Sequence, residues 1–539
     1  MIYLLSQILD RSAEQFPGHE AFRCDDNSLT YRELWERANG LAHTLISMGV
    51  QRGDRVGIYL SKSLESAVAI YGIWKAGAAY VPLDPRAPVT RTVYAINHCG
   101  IRHLITQKSK RMKLPQLLQA LKAPVGTHPA SLRYVVGVPE GVELPHGVNH
   151  CSWSDISPSG IAPSVRILEQ DLAYIMYTSG STGTPKGIMH THRSGLNYAR
   201  MAAHTYGLTH DDRLGNHSPL HFDMSTLDYF SGPLVGATTV IIPEAYTKMP
   251  ASLSQLAQDE ALTIWYSVPF ALIQLLLRGV LGERDLSSLR WVLFGGELYP
   301  AKYMYGLMKR LPRARFSNVY GPAEVNQCSY YHVPSLTEGQ PIPDEVAPIG
   351  QIWANAEEIV VDDQDNPVVS GDVGELLVRT PTMMEGYWQR PDLNVSAFYR
   401  VEIAHQTAVF YRTGDLVQRL PDGNYQFVGR KDRQIKMRGY RIELDEVEAV
   451  LIAHPHVEEA AAYGVPAEIG GHQVAAAVIL KPEASLSEAE LLRYVGERLP
   501  AYAVPKGVAI ATTFPRTGTG KIDRRALQQQ AERAMGSRT

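Results

Sequence analysis

Cysteine is scarce in this chain: four residues in 539, at Cys24, Cys99, Cys151 and Cys328. They are far apart, form no CxxC pair and show no metal-ligand spacing. That excludes a disulfide scaffold and a zinc module, and a reducing cytosol is the default compartment. Charge of either sign is also not in excess. The net charge is −3, so neither nucleic acid nor an anionic membrane is expected as the main partner. No apolar run reaches membrane-spanning length. The opening MIYLLSQILDRSAEQ lacks a basic start and a small-residue cleavage site, so it is not read as a signal peptide. What remains is an ordinary globular composition, 45% hydrophobic and 20% charged, in a chain long enough for several domain-sized units.

The most informative stretch is Tyr177 to Gly187, YTSGSTGTPKG. A strand-like run, DLAYIMY, feeds into Gly, Ser and Thr and ends in Pro185-Lys186-Gly187. Glycines let backbone N–H groups turn towards an anion, hydroxyls add donors, and Lys186 adds a positive charge. This chemistry suits a polyphosphate. It is not a Walker A loop, because Gly-Lys-Ser/Thr is missing and GIMHTH reads as strand. Taken alone, its composition favours a plain surface loop.

Strand and helix patterns alternate along the first part of the chain. Thr30 to Met48 reads as a helix with a Thr30/Glu33 capping box and a Gly49 stop. Strands are expected at Asp54 to Leu60, Ala79 to Pro82 and Arg102 to Thr106, with helices at Ser63 to Ala76 and Val89 to His98. Residues 108–168 carry no clear pattern. Further on, the strands ending at Tyr177, Phe294 and Val319 all finish in Gly-containing turns, so they line one cleft if the sheet is parallel and doubly wound. From Ala347 the texture turns to strands and turns, a small β-barrel-like unit. The charged stretch Gly429 to Arg441 reads as a hinge, and a compact α+β unit follows. The expected architecture is therefore α/β. A large N-terminal domain spans 1–431, with its β-rich part at about 347–430. A small mobile domain spans 432–539.

YTSGSTGTPKG, NVYGPAE, YRTGDL, GRKDRQIKMRGYRIEL and PRTGTGKIDRRAL occur together and in order. With LTYREL and AYVPLDP they make the chain resemble the acyl-adenylate-forming superfamily over nearly its whole length. It is most similar to the amino-acid adenylation domains of non-ribosomal peptide synthesis. The resemblance implies an AMP-forming ligase acting in two steps. A carboxylate attacks the α-phosphorus of ATP, releasing pyrophosphate, and a thiol then takes the acyl group. The carboxylate is already ionised near neutral pH, so catalysis reduces to positioning and charge stabilisation.

The resemblance also implies residue roles. Thr178, Ser179, Gly180, Ser181, Thr182, Gly183 and Lys186 hold the β,γ-phosphates. Asn318, Val319, Tyr320 and Gly321 surround adenine, with Tyr320 stacking on it. Glu324 holds Mg²⁺. Asp415 and Arg430 meet the ribose. Lys521 bridges the carboxylate and the α-phosphate, and Asp432 is the hinge. Ala323 stands where the family usually has Thr. Asp223 pairs with a substrate α-ammonium, which disfavours acids lacking an amine. Phe222, Met224, Leu227, Tyr266, Leu293, Gly295, Val319, Gln327 and Cys328 line the rest of the pocket with Lys521. That lining is mostly apolar and suits a small neutral amino acid, and it resembles ligases that load L-proline onto a carrier protein. The alternatives are another small apolar amino acid, or an acyl-CoA ligase. No Gly-Gly-x-Ser carrier signature or HHxxxDG condensation signature is present, so the expected thiol belongs to a separate phosphopantetheine-bearing carrier protein.

Overall fold

A computed structural model of the chain describes all residues except 108–113, 122–131, 139–140, 181–183, 337–339, 344–345, 468–470, 518–520 and 537–539. Two large sheets, of eight and nine strands, dominate the N-terminal part. Their cores are strands such as Trp291–Gly295 (WVLFG) and Ala79–Pro82, apolar enough to be buried throughout. Most neighbouring strands are parallel, with helices between them in sequence. The α/β expectation holds. So does the capping box, with Thr30 ahead of the helix Tyr31–Ser47.

The strand Leu172–Thr178 belongs to the eight-stranded sheet and pairs antiparallel with Lys186–Thr191, Thr178 opposite Lys186. The strands Trp291–Gly295 and Arg315–Tyr320 lie side by side in the nine-stranded sheet, Gly295 beside Val319. The cleft expected between these strand ends thus lies at the junction of two sheets rather than along one.

Residues from Glu357 to Arg430 form a five-stranded antiparallel sheet. Its long strand Gln406–Arg419 pairs with Phe398–Ile403 along its first half and with Tyr425–Arg430 along its second. That change of partner bends the sheet, and among the described residues no pairing closes it into the expected barrel. The C-terminal unit is a three-stranded sheet carrying the helices Leu444–Ile452, Glu488–Gly496 and Arg524–Gly536. Between the two units the stretch read as a hinge is a hairpin, Gln434–Met437 paired with Tyr440–Glu443. Its turn residues Arg438 and Gly439 have φ of 52° and 81°, the double positive φ of a type I′ turn. No helix of the described residues is long and apolar enough to cross a membrane.

Candidate active site

The three strand ends and the hairpin enclose two cavities. The larger, about 330 Å³, is lined by Gly296, Asn318, Val319, Tyr320, Ile349 and Phe427 from the N-terminal part, and by Lys436 and His472 from beyond it. The smaller, about 130 Å³, is lined by Thr178, Ser179, Asp223, Gly321, Asp415 and Arg441 among others. Gly296, Arg430, Gln434 and Lys436 line both.

The larger cavity has a polar wall built on one chain of contacts. The buried Tyr320 hydroxyl donates to Asp415 Oδ2 at 2.5 Å. Asp415 Oδ1 accepts from Arg430 at 2.5 Å, and Arg430 also pairs with Asp432 at 2.5 Å. Despite the cost of burial, Asp432 and Asp415 push the guanidinium up, so Arg430 stays charged. The Asn318 amide donates to the Pro348 carbonyl at 2.8 Å, tying the segment around Pro348 to this wall.

Glu324 is wholly buried and forms the second polar centre. Arg441 donates to both its oxygens at 2.8 and 3.0 Å, Lys186 lies 3.2 Å away, and the Tyr387 hydroxyl donates at 2.8 Å. Although burial opposes it, Arg441 and Lys186 hold the Glu324 carboxyl far below the usual carboxylate range. Burial and then Arg441 lower the Lys186 ammonium. In the loop ahead of Lys186, Gly180 is required by close approach: a Cβ there would lie 2.1 Å from the Thr184 carbonyl. The Thr178 hydroxyl is buried without a hydrogen-bond partner. Ser179 donates from its hydroxyl to the Arg441 carbonyl at 2.8 Å, so loop and hairpin touch. Ser181, Thr182 and Gly183 lie outside the described residues.

Asp223 accepts from the Met224 backbone N–H at 2.9 Å, and burial pushes its carboxyl up to about 6. Leu227, Tyr266, Leu293 and Val319 belong to one apolar cluster, and Met224 packs against it. Gly295 pairs with Val319 beside them. The Gln327 amide donates to the Tyr206 hydroxyl at 3.1 Å, in the same cluster. Cys328 corrects the expectation. It packs with Ile188, Tyr320, Val325 and Ile349, a different cluster, because adjacent residues of an extended chain face opposite ways.

Lys521 lies apart from the cavities in this arrangement. It is exposed on the C-terminal unit, where its carbonyl accepts from Thr517 N–H at 2.8 Å. Besides Arg430, the hairpin brings Lys436 and Arg441 to the cavities. Burial lowers the Lys436 ammonium, while Asp415 and Asp223 oppose that shift. Sequence reasoning missed Lys436, Arg441 and Tyr387. The available signal for the first two was the alternation on each side of Arg438-Gly439, a hairpin pattern hidden by its high charge.

The pattern of the family described as AMP-binding enzyme matches residues 9–388, and that of the AMP-binding enzyme C-terminal domain matches residues 446–521. The chain is 33% identical to an L-proline–[L-prolyl-carrier protein] ligase of Pseudomonas fluorescens, over 98% of this chain and 99% of the relative. It is 34% identical to a ligase of the same description from Streptomyces coelicolor, over 96% of this chain and 94% of that one. Among solved structures it is similar to an amide bond synthetase from Marinactinospora thermotolerans, at 25% identity and a TM-score of 0.83, over 97% of this chain and 99% of that one. With two buried polar centres on either side of a phosphate-type loop, and with both family patterns in place, the chain belongs to the AMP-binding enzyme family of AMP-forming ligases.

Proposed function

We propose that this protein activates a small neutral amino acid, best fitted by L-proline, as its aminoacyl-AMP and passes it to the thiol of a separate carrier protein. The observation that carries this reading is Asp223, a half-buried carboxyl lining the smaller cavity, which accepts from its neighbour's N–H and, among the described residues, makes no ion pair. A carboxylate of this kind asks for a cationic ligand. An α-ammonium supplies one, and a secondary amine such as proline's still offers two N–H donors. An aryl or fatty acid offers none, which sets the acyl-CoA ligase alternative behind.

In this reading adenine occupies the larger cavity against Tyr320, near Asn318, Val319 and Gly321. The ribose hydroxyls take over the bond that Tyr320 now makes to Asp415, with Arg430 alongside. The orphaned Thr178 hydroxyl and the backbone of the loop through Ser179 and Gly180 fit the phosphates. Glu324 fits Mg²⁺, because one carboxylate plus substrate phosphates is an ordinary magnesium environment. When bound, the metal neutralises charge on the phosphates. The carboxylate that holds it is already kept ionised by two cations. Adenylation calls for Lys521 at the reacting carboxylate, so the C-terminal unit turns about Asp432 between half-reactions. The present arrangement, with Lys436 and Arg441 facing the cavities, fits the thiol-transfer state.

ATP–pyrophosphate exchange measured across the proteinogenic amino acids tests the proposal. L-Proline is expected to give the highest exchange. Equal or greater exchange with an aryl acid overturns it, and product formation with carrier protein against coenzyme A decides the acceptor.

A further inference from the structure

His221 stands two residues before Asp223, in the turn that opens the substrate pocket. Its side chain is 13% exposed and lines the smaller cavity with Asp223, Lys436, Tyr440 and Tyr502. Its Nε2 is sealed from solvent without a hydrogen bond, and it faces Asp84 Oδ2 at 3.7 Å. The roles assigned above make no use of this imidazole.

The surroundings tie it to the state with the hairpin in place. Phe222 meets the His221 ring at 5.0 Å and the hairpin's Tyr440 ring edge-on at 5.2 Å. Tyr440 stacks on Tyr502 at 3.8 Å and accepts from Arg86 at 3.0 Å. Asp84 accepts from the Arg86 backbone N–H at 2.8 Å through its other oxygen. The reacting centre is close by: with the ammonium at Asp223, the acyl carbon lies about 2.5 Å from the amine nitrogen, two bonds away.

We propose that His221, with Asp84 beside its far nitrogen, accepts the proton of the incoming thiol in the transfer half-reaction. The inference rests on the thiol-transfer reading above. The thiol S–H gives its proton to Nδ1, the nitrogen turned from Asp84. The sulfur then forms the bond to the acyl carbon, and the carbon–oxygen bond to the phosphate breaks. AMP leaves with that electron pair, and the imidazolium returns its proton to solvent. Burial lowers the ring from its ordinary 6.5, so it is neutral and able to accept near pH 7. The charged groups that face it are Asp84 and Glu244, which favour the imidazolium, and Arg86, which opposes it. Lys436, Tyr440 and Tyr502 share its cavity.

The test is single-turnover transfer to pantetheine from enzyme preloaded with prolyl-AMP and freed of pyrophosphate. The wild-type rate should be level above about pH 6.5, near the ordinary imidazole value, and fall in acid. His221→Asn should be at least about 30-fold slower at pH 7, and should climb tenfold per pH unit towards the thiol's own value near about 8.5. Asp84→Asn should lose less, with its acid limb moved. A His221→Asn rate within about threefold of wild type with the same profile, or a wild-type profile that climbs to the thiol value, overturns the proposal. If the variant forms no adenylate, synthetic prolyl-AMP is supplied and the same two outcomes decide. Failure of the wild-type protein to form prolyl-AMP strikes the functional reading instead of His221.

Discussion

Asp223 is a carboxyl placed where ionisation is expensive. Burial moves it from 3.8 to about 6, and among the described residues no ion pair offsets the cost. The sign of the consequence is fixed. Between about pH 3.8 and 6 the folded state holds a proton that the unfolded chain has lost, so stability falls as pH rises through that window. Above it the ligand-free protein carries a strain of roughly 3 kcal/mol as an upper figure. A bound ammonium recovers that energy, and Asp223→Asn should expose both sides of the exchange. Exchange activity with proline should drop by about 100-fold or more, the scale of removing one partner of a buried charge pair. The ligand-free variant should unfold at a higher temperature than wild type at pH 7.5. In wild type, the Kd for proline should rise about tenfold per pH unit below 6, the value to which Asp223 is pushed. Calorimetric titration at pH 5, 6 and 7 checks this, and a flat profile removes Asp223 from the ammonium site.

In the proposed reading, the ten-residue hairpin, strand Gln434–Met437 and strand Tyr440–Glu443 about Arg438-Gly439, decides which chemistry the cleft performs. It delivers Arg441 to Glu324 and Lys436 towards Asp223 and Asp415, while Lys521 stays exposed. Its tip permits little change. A Cβ on Gly439 would lie 2.4 Å from Val268, and its φ of +81° is the region glycine favours. Gly439 N–H also donates to Glu297 at 3.3 Å, the residue whose other oxygen accepts from Phe270 N–H at 2.9 Å. Gly439→Leu should therefore reduce thiol transfer at least about tenfold more than ATP–pyrophosphate exchange. Lys521→Ala should do the reverse, reducing exchange while transfer from preformed adenylate is retained. Equal losses in both assays for either variant contradict the division of labour.

This element also shows what the sequence could and could not tell. Local signals were readable where one pattern acted alone: the Thr30/Glu33 capping box and the apolar strands that end at the cleft stand as expected. The three-residue strands Tyr134–Val136 and Asn149–Cys151 are too short to show a period, and Leu227–Ser231 is a π-helical turn with a period of its own. The hairpin was masked because each strand is only four residues long and the turn and flanks are charged. One face, Gln434, Lys436, Arg441 and Glu443, is polar, while the other, Ile435, Met437, Tyr440 and Ile442, packs on the apolar core of the C-terminal unit. Tyr320, Asp415 and Arg430 were legible as a set because their motifs are local. Their assembly, Asp415 and Arg430 from two paired strands and Tyr320 from another sheet, was legible only through the resemblance.

The largest-scale feature is how the C-terminal unit is held against the rest. Apart from the hairpin, the principal polar clasp is Arg91 with Glu446, joining the helix Val89–His98 to the helix Leu444–Ile452. Glu446 is 2% exposed and Arg91 14%, so the pair is largely withdrawn from solvent. Burial raises the Glu446 carboxyl and Arg91 opposes it, so the partner is what keeps the group charged. A surface pair would be worth little, but a buried one that loses a partner leaves an uncompensated charge. The clasp can form only while the unit sits as described, because its halves lie 355 residues apart on separate units. In the proposed two-state reading it therefore biases the equilibrium towards the thiol-transfer state. Arg91→Glu places like charges together and should release the unit. Thiol transfer should fall by about tenfold or more, and trypsin should cut the stretch from Arg430 to Arg441 several-fold faster. The exchange pair Arg91→Glu with Glu446→Arg should recover most of both, giving a coupling of about 1–3 kcal/mol in the double-mutant cycle. Additive losses in the double variant would mean that the two side chains support their own units and do not clasp them together.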